Sequence, residues 1–323
     1  MTVADRPTTG SRPGAPLRGC GTALCTPFTR DGAVDEGALR RLVSWQLAEG
    51  VHFLVPCGST GEAATLSPAE HRRVVELVVE EVAGRVPVVA GAGSNDTAKA
   101  VAFSREMAAA GATHLLHVSP MYSKPPQRGI EAHFRRIADA TELPVVLYNV
   151  PGRTASNVEA ATTLRLAEVP NIVAVKEASG NLAQVDAILR DRPADFAVLS
   201  GEDALTFPML GLGAEGVISV TSNAAPRLVA QMCDAAAAGE SDVARELHRR
   251  LAAWTDAAFV ESNPIPAKAA LNMLGLCEDV LRLPLVPLAD AHRARVEEAL
   301  RAAGAFDHAP GSGAAGAWEP AGA

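Results

Sequence analysis

The chain has 323 residues, 48% of them apolar and 20% charged, a composition that can bury a sizeable core and excludes an intrinsically disordered polymer. A net charge of −8 argues against nucleic acid as a main partner, because phosphate binding needs a basic face. No apolar stretch nears the ~18 residues of a membrane span.

Residues 1 to about 18, "MTVADRPTTGSRPGAPLR", carry no apolar signal-peptide core and are rich in Pro, Gly, Thr and Arg, so a disordered tail is expected there. Five scattered cysteines (Cys20, Cys25, Cys57, Cys233 and Cys277) include no C-x-x-C pair, which in a chain of this size predicts reduced thiols and a cytoplasmic location. From Gly19 onward, short apolar runs alternate with helical patterns. The first strand candidate is "GTALCTPF" (21–28), followed by the amphipathic "DEGALRRLVSWQLAEG" and a second strand, "VHFLVPCG" (51–58). The next helix has a written start: Ser67 as N-cap, Pro68 at the first helical position and Glu70 three residues after the cap, with Gly84 closing it. Strands three to eight are "VPVVAGAG" (86–93), "ATHLLHVSP" (112–120), "LPVVLYNVPG" (143–152), "NIVAVKEAS" (171–179), "FAVLSGED" (196–203) and "GVISVTSN" (216–223).

Continuous Val/Leu/Ile runs fit strands buried on both faces, as in parallel sheets. Eight strand–helix units predict a (β/α)8 TIM barrel over residues 19–240, and no G-x-G-x-x-G follows the first strand to suggest a dinucleotide fold. Three further helical stretches, roughly 241–259, 265–275 and 288–303, predict an appended C-terminal helical region over 241–306. Residues 307–323 are low-complexity and are expected to be a second disordered tail.

Polar residues at the carboxyl ends of barrel strands face the active-site mouth. Here those ends carry Ser59, Thr60, Gly61 and Glu62, then Ser119 to Tyr122, Tyr148 and Asn149 with Arg153, Lys176, Gly201 and Glu202, and Ser219. His114 and His117 lie three apart on one strand and face opposite ways, so no metal set and no cofactor is expected. A lysine at the end of a buried strand is a nucleophile toward carbonyls if burial lowers its pKa from about 10.4. Attack on a 2-keto acid gives an imine that acts as an electron sink, and a nearby tyrosine can move the protons. Tyr148, one strand from Lys176, is the candidate.

The segments "GSTGE" (58–62), "YNVPGRT" (148–154), "VKEASGN" (175–181) and "GVISVTSN" (216–223), with "SPMYSKPPQRG", "NPIPAK" and "LRLPLVPL", resemble the dihydrodipicolinate synthase family. These are class I pyruvate-dependent lyases related to N-acetylneuraminate lyase, and the resemblance runs from about Gly21 to Leu288. It implies that Lys176 forms the Schiff base with pyruvate and that Tyr148 relays protons. Ser59 and Tyr122 would complete a hydroxyl relay, the tyrosine reaching in from a neighbouring subunit of a homotetramer built as a dimer of dimers. Thr60 would hold the pyruvate carboxylate, the Ile218 main chain would line the pyruvate pocket, and Arg153 would bind the carboxylate of L-aspartate 4-semialdehyde.

The sequence departs from the family pattern at several positions. Ser59 replaces a threonine of G-T-T-G-E, keeping the hydroxyl but matching the neuraminate-lyase branch. Arg153 points the other way, because sugar-acid lyases generally lack it. Asn95 and His71 match the family's lysine-effector site, whereas Lys99 stands in place of a glutamate and Met121 in place of a tyrosine. A cation where the effector's ammonium would sit implies insensitivity to lysine. Three readings follow: condensation of pyruvate with aspartate semialdehyde in lysine and diaminopimelate biosynthesis, retro-aldol cleavage of a 2-keto-3-deoxy sugar acid, and a non-catalytic keto-acid-binding barrel.

Overall fold

Eight apolar runs form the strands β1 (Gly19–Ala23), β2 (Phe53–Val55), β3 (Val89–Gly91), β4 (His114–Val118), β5 (Val145–Asn149), β6 (Ile172–Glu177), β7 (Ala197–Ser200) and β8 (Gly216–Ser219). They come from a computed structural model, which describes residue 14 and residues 16–310. The tails expected at 1–18 and 307–323 therefore lie largely outside the described residues. Leu17 is buried in the barrel interior and the His308 carbonyl accepts a hydrogen bond from Trp45 Nε1 at 2.9 Å, so packed structure reaches beyond 19–306 at both ends.

All strand pairs are parallel, in the order β2-β1-β8-β7-β6-β5-β4-β3. The ring closes between β2 and β3 through a single bridge, Leu54 with Val88, and the backbone bonds Leu54 N to Pro87 O and Gly91 N to Pro56 O. Parallel strands need crossovers, and helices supply them. These are α1 (Glu36–Ala48), α2 (Pro68–Val82), α3 (Thr97–Ala109), α4 (Gln127–Ala138), α5 (Pro151–Thr154), α6 (Ala160–Ala167), α7 (Leu182–Asp191), α8 (Thr206–Gly211) and α9 (Pro226–Ala237). The expected start of α2 is present as a full capping box: Ser67 Oγ accepts from Glu70 N, and the Glu70 carboxylate accepts from Ser67 N. Its end comes one residue early, because Ala83 already takes the left-handed conformation, at φ 49°, before Gly84.

The appended helices are α10 (Ser241–Ala257), α11 (Ile265–Met273) and α12 (Asp290–Ala303). They share one apolar cluster with α1, α2 and α9, in which Trp254 of α10 is fully buried. At about 25 cal/mol per Å² of apolar area removed from water, this shared layer fixes the helices over the barrel. A smaller cluster fills the barrel itself, with Phe53, Val89, Leu116, Val146, Tyr148, Ala174, Leu199 and Ile218 pointing inward.

Candidate active site

Strand alternation decides which side chains reach the barrel interior. On β6, Ile172 and Val175 pack outward against helices, while Ala174 faces inward and Ala178 packs beside it in the same cluster. Lys176 falls in that inward series and is buried, 5% exposed. On β5 the same rule points Val146 and Tyr148 inward, and the register sets Tyr148 directly beside Lys176. The Lys176 Nζ stands 4.3 Å from the centre of the Tyr148 ring. Room for its stem comes from the end of β7: a Cβ at Gly201 would meet Lys176 Cγ and Cε at 3.0 Å and Ala178 Cβ at 2.8 Å.

Burial is the main cause that lowers the Lys176 pKa, to about 8; the Asp203 carboxylate opposes it and the Arg153 guanidinium adds to it. The Tyr148 phenol moves the other way, raised by burial and by Glu202 and lowered by Arg153 and a hydrogen bond with the Ser59 hydroxyl. Lysine and tyrosine are thus pushed toward their neutral forms, as nucleophile and proton donor require.

A cavity of about 1210 Å³ opens over this pair and includes Ser59, Thr60, Arg153, Gly201 and Glu202 in its wall. Five of the seven residues singled out from sequence therefore converge. Ile218 does not line the cavity; it is buried in the barrel interior, in the cluster that holds Tyr148. Tyr122 does not line it either. Its side chain is 89% exposed, on a backbone at φ 71° that a non-glycine residue rarely adopts. Met121, His71 and Asn95 line the same cavity. His71 is tied to Gly91 O at 2.8 Å and stacked on Phe103, while Lys99 is exposed on α3.

Three features near the site carried no role in the sequence reading. The Asp203 carboxylate accepts from Ser219 Oγ at 2.5 Å, Thr221 Oγ1 at 2.7 Å and Val220 N at 2.9 Å, which holds a buried anion beside β8. Glu62, two residues past Thr60, forms a fully buried ion pair with Lys268 of α11, and its second oxygen accepts from Arg282 N at 3.0 Å. Lys268 also lies over the Phe28 ring at 4.1 Å. Asn263, before α11, donates from Nδ2 to Thr60 Oγ1 at 2.9 Å. Asp203 was within reach as the next residue after a strand-end glutamate; the other two pair residues some 200 positions apart, and no local pattern signals them.

Among the described residues no group of three or more His, Cys, Asp or Glu could hold a metal, and no helix is long and apolar enough to cross a membrane.

Comparison with known proteins agrees with this geometry. The model of the dihydrodipicolinate synthetase family matches residues 16–303. A 4-hydroxy-tetrahydrodipicolinate synthase of Koribacter versatilis is 52% identical over 294 residues, 91% of this chain and 98% of the relative. A chloride-inhibited dihydrodipicolinate synthase from Acinetobacter baumannii, solved in complex with pyruvate, superposes with a TM-score of 0.87 at 41% identity, covering 89% of this chain and 98% of that one. A structure described as the first monomeric dihydrodipicolinate synthase variant superposes at 0.88 with 40% identity, covering 89% and 97%. With five of the seven singled-out residues gathered at one barrel mouth and the match running through the C-terminal helices, the chain belongs to the dihydrodipicolinate synthetase family.

Proposed function

We propose that the protein is a 4-hydroxy-tetrahydrodipicolinate synthase, condensing pyruvate with L-aspartate 4-semialdehyde through a Schiff base on Lys176. The observation that carries this reading is the neighbouring pair of Lys176 and Tyr148, both buried, at the floor of a cavity whose wall also bears an arginine. The free amine of Lys176 attacks C2 of pyruvate to form a carbinolamine. Tyr148 gives a proton to the departing hydroxyl, water leaves, and the iminium remains. The deprotonated Tyr148 takes a C3 proton to leave an enamine, which attacks the aldehyde carbon of the second substrate. The aldehyde oxygen takes up a proton as the C–C bond forms, and the semialdehyde's amino group then displaces Lys176 from C2, closing the ring and freeing the lysine. Ser59, whose hydroxyl helps lower the Tyr148 pKa, passes protons onward, and Thr60 binds the pyruvate carboxylate, while Ile218 packs behind the site in the barrel interior.

Arg153 takes the carboxylate of the semialdehyde, and this cation favours a short acidic aldehyde over a polyol chain. Tyr122 serves a neighbouring subunit, which makes the working form a dimer at least and a homotetramer as a dimer of dimers. Its location is the cytoplasm, and the chain divides into a barrel over 19–240 and a helical region over 241–306.

Borohydride reduction in the presence of pyruvate tests the covalent step. One reduced pyruvate unit per chain is expected on the peptide carrying Lys176, and no adduct, or one elsewhere, would refute the mechanism. Initial rates with aspartate semialdehyde, N-acetylneuraminate and 2-keto-3-deoxygluconate then test the substrate. Turnover of either sugar acid without condensation of the semialdehyde would transfer the site to the retro-aldol reading.

A further inference from the structure

A threonine hydroxyl has one proton to give and two lone pairs to accept with. Thr60 Oγ1 already accepts from Asn263 Nδ2 at 2.9 Å, and both residues are buried, 3% and 7% exposed, while lining the main cavity. No acceptor among the described residues takes the Thr60 proton. The direction of the Asn263 amide follows from what its other end meets. Asn263 Oδ1 is buried with no hydrogen-bond partner, and Nδ2 spends one of its two N–H bonds on Thr60. Turning the amide over would orphan both N–H bonds in place of one carbonyl and one N–H, and an orphaned buried N–H is the rarer of the two in folded proteins. The amide therefore donates to Thr60, and the threonine proton is left for whatever enters the cavity.

Asn263 is well held for such a task. It sits in the turn closed by Ile265 N to Ser262 O at 2.9 Å, and the helix that follows is locked to the Thr60 loop by the buried Lys268–Glu62 pair. The C-terminal region thus grips this loop at two points, one an ion pair and one a hydrogen bond that fixes the direction of a proton.

We propose that Asn263 is a positioning residue for pyruvate: by donating to Thr60 Oγ1, it turns the Thr60 hydroxyl into an obligate donor aimed at the substrate carboxylate. This inference rests on the assignment of pyruvate to the Lys176 site. Without Asn263 the Thr60 hydroxyl is free to rotate, and the ordering of its proton must be supplied when pyruvate binds.

The test reads the half-saturating pyruvate concentration in borohydride trapping, for wild type, Asn263→Ala, Thr60→Val and the double variant. Asn263→Ala is expected to raise it roughly three- to tenfold, as for the loss of one hydrogen bond. The Michaelis constant for aspartate semialdehyde should change much less. The double variant should be no worse than Thr60→Val alone, because Asn263 acts through Thr60. Asn263→Asp preserves the shape but can only accept once ionised, so it should weaken pyruvate at least as much as alanine does. Unchanged pyruvate affinity in Asn263→Ala or Asn263→Asp, equal rises for both substrates, or fully additive effects in the double variant would overturn the proposal. A wild type that traps no pyruvate would remove the proposed function and this inference together. A trapping wild type with indifferent Asn263 variants would remove this inference alone.

Discussion

At a pKa of about 8, roughly a tenth of Lys176 is free amine at pH 7, against about 1 in 3,000 for a lysine in water. That difference is close to 300-fold in nucleophile concentration, and it comes mostly from burial. Because only the neutral amine attacks, the initial rate of imine formation is expected to climb with pH through about 8 and then level; rapid-quench trapping across pH 6 to 10 would measure it. A rate flat over that window would mean that the amine is not the titrating group. Arg153 acts on this profile from outside, since its charge helps lower Lys176. Arg153→Ala should shift the profile to higher pH. It should also raise the Michaelis constant for aspartate semialdehyde by about tenfold to a hundredfold, the worth of a charged hydrogen bond, with a much smaller change for pyruvate. Equal changes for both substrates would make the arginine a loop support instead.

The elements divide into those specified by local sequence and those specified by distant partners. The capping box at Ser67 and Glu70, the eight apolar runs and the strand-end position of Lys176 are local, and each is legible in the sequence. Their precise ends were less so: β2 and β3 shorten to three residues each, because hydrogen bonding rather than apolar composition sets where a strand stops. The Glu62–Lys268 pair was not legible at all. Glu62 sits in a left-handed conformation at φ 53°, and its partner lies 206 residues on. Removing one member of a fully buried pair strands the other charge, so Lys268→Met is expected to cost about 3–5 kcal/mol in denaturant unfolding. An unchanged midpoint would show that Glu62 is satisfied by Arg282 N and neighbouring groups alone.

For the whole molecule the telling residue is Tyr122. A tyrosine 89% exposed on a left-handed backbone is costly to display for nothing, and it accords with the reading that the side chain completes a neighbour's site. Sedimentation at assay concentration is expected to give a dimer or larger. Tyr122→Phe should lower turnover by on the order of a hundredfold, the usual worth of a positioned proton carrier, with the assembly intact. A fully active monomer would contradict this, and the monomeric variant among the structural neighbours makes it a fair test. Regulation belongs to this scale too. With Lys99 exposed on α3 and Met121 offering the cavity no phenol, millimolar L-lysine is expected to leave initial rates unchanged. Inhibition that vanishes in an Asn95→Ala, His71→Ala double variant would refute that expectation. These assembly properties were read from family resemblance, since one chain's own periodicity records nothing of its neighbours.

The single bridge that closes the ring between β2 and β3 has a consequence for how the molecule breathes. Local opening is cheapest where the fewest backbone bonds must part, so amide exchange should begin at this seam before it reaches β5 and β6. The loop that bears Ser59 and Thr60 leaves the barrel from one lip of that seam. That loop is tied through Thr60 and Glu62 to a segment packed more than 200 residues later in the chain, and a synthesised barrel lacking it would have its lysine in place but its Thr60 loop untethered.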